Sequence, residues 1–264
     1  MKKFILTIAV LSSLSFSAWG WGNNGHDAIA YIAECNIKES TRTILNKYLD
    51  GYSIVYYSSW MDQMRRNPSY AGTLEGHSFA VNEDFEVLLT EDPKNTNYST
   101  KDDGLYLFLQ LIESVSGGKY KQMSDEEVAR AIKIIVHLVA DYHCPSHIRY
   151  PKAVSKEIIY ADKKQKYHTF WDTAMITRVH KWNYLEYGHA LGCLSEAHRE
   201  EITRGDMISW CEENARLCAP IHEWVNDGDK VTDQLVYEKA LPLADLMIQR
   251  AGYRLAKVLD EIFN

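Results

Sequence analysis

Five histidines and three aspartates stand out as the residues best suited to chemistry: His26, Asp62, His77, His137, Asp141, His147, His168 and Asp172. Two pairs, His137-x3-Asp141 and His168-x3-Asp172, are spaced by about one helical turn. Imidazole and carboxylate then leave the same helix face and can converge on one cation. Nitrogen and carboxylate oxygen without thiolate is the donor set of hydrolytic zinc rather than of a structural finger. One such pair would equally fit a core histidine bonded to a nearby carboxylate. Two pairs, with His147 placed beyond a helix stop at Pro145, favour a metal-dependent hydrolase.

The elements that must position these residues read as helices near 26–35, 39–49, 53–66, 103–117, 125–143, 167–178, 194–203, 206–218 and 235–263. Ser124-Asp125-Glu126-Glu127 fits a capping box at the start of the fifth. Its apolar residues, among them Val128, Ile132, Ile135 and Val139, recur at helical spacing. Asp50-Gly51 closes the second helix. No alternating strand series with hairpin turns is legible, so an all-α single domain is expected. Residues 67–102, with Asn67-Pro68, Gly72, Gly76 and the polar run 91–97, read as long loops. No linker, repeat or low-complexity tract divides the chain.

Residues 1–20 have the layout of an export signal, with Lys2 and Lys3, an apolar stretch from Phe4 to Leu14, and Ala18-Trp19-Gly20 as the cleavage site. The stretch is too short to span a membrane. Cleavage would leave residues 21–264 as the mature domain, starting at Trp21, in the periplasm or outside the cell. No stable membrane association is expected. The 264-residue chain has a formal net charge of −7, which argues against holding nucleic acid on a broad basic face. Positive charge concentrated in bound metal would escape that objection. Five cysteines (Cys35, Cys144, Cys193, Cys211, Cys218) leave at least one thiol unpaired, and no CxxC pair recommends them as ligands.

Read in order, Trp21-Gly-x-x-Gly-His26, Ser-Trp-x-Asp62, Gly-His77, His137-x3-Asp141-x5-His147 and His168-x3-Asp172 resemble the zinc-dependent single-strand nucleases of the S1/P1 nuclease family across essentially the whole mature chain. The resemblance implies a single, mainly helical domain with a trinuclear zinc cluster at the base of a cleft. Asp62, His77, His137 and Asp141 would hold one ion. The free amine and carbonyl of Trp21, with His26 and again Asp141, would hold a second, and His147, His168 and Asp172 the third. Asp62 and Asp141 would then belong to the catalytic centre, and Arg65 would steady charge developing on phosphate, as a planar guanidinium can. A solvated arginine beside Arg66 is the plainer reading of that residue.

The implied activity is cleavage of single-stranded DNA and RNA to 5′-phosphorylated products, with 3′-nucleotides as further substrates and a monomeric enzyme. The chain departs from the family at Cys144 and Ser146, where Gln and Leu are common. It departs again at Ser78, Phe79 and Ala80, where an aromatic and an acid usually bind the base, and at Thr173, commonly Asn. Phe79 is left as the stacking face and Thr173 as a substrate contact. A zinc-dependent phospholipase C has a similar cluster, but the short spacing from Trp21 to His26 and the use of Asp172, where those lipases usually carry Glu, favour the nuclease. A non-catalytic zinc-binding protein is the third reading. His143 is expected to orient a ligand. His180, His189, His198 and His222 read as surface or core residues, Trp182, Trp210 and Trp224 as core, and Ser195-x-x-His198 is too sparse for a nucleophile.

Overall fold

The computed structural model describes residues 21–65, 67–70, 76–89 and 104–264. The expected export signal and much of the expected loop region lie outside them. The fold is mainly helical. In chain order come α1 (Asn23–Asn36), α2 (Glu39–Tyr48), α3 (Trp60–Met64), β1 (Phe79–Val81), β2 (Val87–Leu88), α4 (Gly104–Val115) and α5 (Asp125–Asp141). Then follow β3 (Ile148–Arg149), β4 (Glu157–Tyr160), β5 (Lys163–Lys166), α6 (Tyr167–Thr169), α7 (Met175–Val179), α8 (Tyr184–Leu191), α9 (Glu196–Ile202), α10 (Met207–Cys218), α11 (Asp233–Leu235) and α12 (Leu241–Phe263).

The core runs between α1, α5 and α12. Gly252 lets α1 and α12 approach closely, because a Cβ there would sit 2.5 Å from the Ile32 side chain. Helix α5 begins at the expected capping box, in which the Ser124 side chain accepts from the Glu127 backbone while Glu127 receives the Ser124 backbone N–H. Its buried stripe continues through Val136, His137, Val139 and Asp141. The site therefore grows out of the core side of this helix.

Several elements differ from the sequence reading, each for a local reason. The expected helix 53–66 is a tight turn at Ile54–Tyr57, capped by Ser53, followed by the short α3. The expected helix 167–178 widens into a π-type turn at Phe170–Ala174, a feature frequent at functional sites. Another wide turn, Val236–Ala240, precedes Pro242, which cannot supply a backbone N–H to a regular helix. Helix α8 went unread; it is short, and an Asn183/Glu186 capping box starts it.

Five short strands also escaped the all-α reading. β1 pairs antiparallel with β2 and parallel with β3, and β4 with β5 forms a hairpin. The first three are two or three residues long, too short for an alternating signal. The hairpin turns on Ala161 and Asp162, both at positive φ, without the Asn-Gly signature of such turns.

Candidate metal centre

The parallel register of β1 and β3 sets Phe79 against Ile148, which brings the two preceding histidines together. His147 Nδ1 donates to the His77 carbonyl at 2.7 Å. His137 Nδ1 likewise donates to the Ser58 carbonyl at 2.8 Å. With Nδ1 committed to a carbonyl in both rings, Nε2 carries the lone pair offered to the interior. The turn before α3 thus orients His137, and the segment leading into β1 orients His147.

Asp141, at the end of α5, is the hub. His77 Nδ1 lies 2.8 Å and His137 Nε2 3.2 Å from its Oδ2, while His26 Nε2 and His147 Nδ1 lie 3.4 and 3.5 Å from its Oδ1. Burial alone would raise this carboxyl. Charge from His137 and His147, with the close approach of the His137 and His26 imidazoles, overrides burial and holds it well below the usual carboxylate range. His26 stacks on His137 with ring centres 4.2 Å apart. Asp62, on α3, reaches within 3.9 Å of His77 Nδ1.

A second carboxylate organises the far end. His168 Nε2 is 3.0 Å from Asp172 Oδ2, and His147 Nε2 is 3.8 Å from Oδ1. The wide turn keeps His168 and Asp172 together. Burial lowers the His168 imidazole, but attraction to Asp172 and Asp141 outweighs it and the net shift is upward. For His147, burial wins over both carboxylates and the shift is downward.

These side chains fit divalent cations. His26 Nε2, Asp62 Oδ1, Asp141 Oδ1, His147 Nε2 and Asp172 Oδ2 are buried without a hydrogen-bond partner. A buried polar atom left so costs about 1–3 kcal/mol, and ligation would relieve it. Donor atoms fall within 4.8 Å of one another in three sets: His26, Asp62 and His137; His77, His137 and Asp141; and Cys144, His147 and Asp172. The eight expected side chains come together, with His168 joined through Asp172, and two of the three sets share His137. Shared His137 and central Asp141 are what a cluster with bridging ligands requires.

Trp21 is buried, and the neighbouring Gly22 N–H donates to the Asp172 carbonyl at 2.5 Å. That contact pins residues 21 and 22 beside the cluster. Thr173 packs on Gly22, since a Cβ there would lie 2.6 Å from its Oγ1. Arg65 directly follows α3 and is half-buried.

Cys144 and Ser146 were not expected to take part, yet they do: Ser146 Oγ donates to Asp172 Oδ1 at 2.7 Å and Cys144 Sγ at 3.4 Å. Their only sequence signal was departure from the family pattern. None of the five cysteines is bridged. Two expectations need correction. Phe79 is fully buried in β1 with its ring against Tyr142, so no nucleobase can stack on it. His143 orients no ligand; it donates to the Val139 carbonyl and accepts from Arg254. Of the plainer readings, His180 stacks on Trp182 and contacts Asp245, and Ser195 is the cap of α9.

A cavity of about 760 Å³ opens beside His168, walled by Ser146, Arg149, Tyr150, Tyr167, Trp171 and His222 among others. No helix among the described residues is long and apolar enough to cross a membrane.

Comparison with known proteins gives this geometry its context. The profile described as S1/P1 Nuclease matches residues 21–264. Nuclease S1 of Aspergillus oryzae is 23% identical over 291 residues, covering 99% of this chain and 98% of its own. Endonuclease 2 of Arabidopsis thaliana is 23% identical, covering 93% and 91%. Nuclease P1 of Penicillium citrinum is 23% identical, covering 92% and 97%.

Proposed function

Because the chain belongs to the S1/P1 nuclease family, hydrolases of phosphodiester bonds, we propose that it is an exported endonuclease of single-stranded DNA and RNA. It releases 5′-phosphorylated products, removes phosphate from 3′-nucleotides, and works with three zinc ions. The observation carrying this reading is the convergence of four imidazoles on one fully buried carboxylate, Asp141, with His168 at the wall of the cavity.

Asp62, His77, His137 and Asp141 are the natural holders of one ion, His26, Asp141 and the Trp21 terminus of a second, and His147, His168 and Asp172 of the third. When bound, such ions supply Lewis acidity toward phosphate oxygen and an acidified water. The chain's own contribution is placement. Carbonyls of Ser58 and His77 fix two imidazole tautomers, and the buried α5 stripe fixes Asp141. His137 and Asp141 are fully buried on the core side of the site, and Arg65, three residues after Asp62, is the proposed guanidinium for the phosphate.

The test compares single-stranded DNA, duplex DNA and phosphatidylcholine as substrates for the zinc-loaded chain beginning at Trp21. Cleavage should be confined to single strands, abolished by chelator, and lowered at least about a hundredfold in Asp62→Ala and His137→Ala. Preferential hydrolysis of phosphatidylcholine, or full activity in both variants, overturns the reading.

A further inference from the structure

Away from the cluster, the turn before α3 presents an unusual run of rings. Tyr52 and Tyr56 are 53% and 68% exposed, which is high for large aromatic side chains without a partner to cover them. They lie nearly face to face, with centres 4.9 Å apart and planes at 30°. Tyr57 meets Tyr56 edge-on at 4.9 Å. Lys133 then links the run onward, its Nζ 4.2 Å from the centre of the Tyr57 ring and 5.5 Å from that of Trp60. Trp60 meets Tyr70 at 5.3 Å, and the Arg130 guanidinium lies 5.2 Å from the Tyr70 ring centre.

This strip leads to the metal centre through covalent structure. Trp60 and Asp62 share α3, and Ser58, next to Tyr57, holds His137 through its carbonyl. Arg130, Lys133 and His137 fall at i, i+3 and i+7 of α5, one face of one helix. Aromatic faces interleaved with two cations, on a protein whose net charge is −7, match one kind of occupant. Unstacked bases can lie on the rings while their phosphates meet the cations. The two local cations, Lys133 and Arg130, suit phosphate, and continuity of the strip with Asp62 on α3 and His137 on α5 makes an extended chain the natural ligand.

We propose that Tyr52, Tyr56, Tyr57, Trp60 and Tyr70, with Lys133 and Arg130, form a track that binds the part of a single-stranded nucleic acid lying beyond the cleaved linkage. This inference rests on the single-strand nuclease reading. It makes the enzyme favour long strands over dinucleotides, since only a strand longer than the cleft reaches the tyrosines.

The experiment measures kcat/KM of the zinc-loaded enzyme on a thymidine dinucleotide and on an oligodeoxythymidine of about twenty nucleotides. It also measures binding of a fluorescent, nuclease-resistant phosphorothioate strand of the same length. Tyr52→Ala combined with Tyr56→Ala should lower the long-to-short ratio of kcat/KM by about tenfold, through KM, and weaken strand binding by a similar factor. Tyr→Phe at both positions should restore both. Lys133→Ala should flatten the dependence of log Kd on log salt by about 0.7, the loss of one phosphate contact. Unchanged ratio, affinity and salt slope in these variants, or no strand binding by the wild type, overturns the track. Strand binding that weakens in the variants while the wild type cleaves no single strand upholds the track and overturns only the reading of the catalytic activity.

Discussion

Asp141 shows how little a residue's type says before its neighbours are known. A carboxylate that is wholly buried would be raised and neutral; here the surrounding imidazoles reverse the direction and keep it ionised. Asp172 is handled differently. One of its oxygens receives Ser146 and Cys144, which leaves the other facing His168. Ser146→Ala removes the stronger of those donors. Metal titration should then show about tenfold weaker binding of one ion, with the others unaffected and Ser146→Thr restoring the affinity. Equal affinity for all ions in Ser146→Ala would show that the hydrogen bond orients nothing.

At the scale of elements, the site depends on what stands behind α5. Arg254 of α12 is buried, donates to the Ile202 carbonyl, His143 and Asn214, and pairs with Glu213 of α10. Asn214 in turn donates to the Tyr142 carbonyl, one residue past Asp141. Burial opposes ionisation of Glu213, but Arg254 and Arg250 prevail and its carboxyl lies below the ordinary 4.5. A carboxylate depressed by folding stabilises the native state above its unfolded pKa, and the contribution vanishes as pH falls through the lower folded value. Glu213→Gln should cost about 1 kcal/mol near neutrality, discounted for the partial exposure of the carboxylate. Denaturant melts of wild type and variant should converge in acid, once the pH has fallen through the depressed folded value below the ordinary 4.5.

Elements with strong local signals were legible in the sequence. The capping box and apolar stripe of α5 are present as read, and His137 with Asp141 lies on one face. The pair His168 and Asp172 also meets, although through a widened turn that helical periodicity does not encode. What escaped depends on contacts distant in sequence. Pairing of β1 with β3, which joins His77 to His147, spans residues about seventy apart. The burial of Phe79 follows from that same pairing, so a base-stacking role inferred from position alone could not survive it. The tyrosine track was missed because its rings are brought next to Lys133 and Arg130 only when α3 packs on α5.

Over the whole molecule, the acidic surface and the metal centre are complementary. Net negative charge discourages diffuse binding of nucleic acid, so on the proposed reading attraction is confined to bound cations, Arg65 and the track. The chain near Trp21 is drawn in beside the cluster by Gly22 and Thr173. If the α-amine of Trp21 is a ligand, export and activation are one event, because a peptide nitrogen cannot take that role. The most direct measurement is zinc content per chain, by mass spectrometry of metals, for the protein beginning at Trp21 and for one that keeps residues 1–20. The first should hold about three ions and cleave single-stranded DNA; the second should hold fewer and cleave little. Equal zinc and equal turnover in both would contradict the role of the terminus, and turnover without bound metal would contradict the account as a whole.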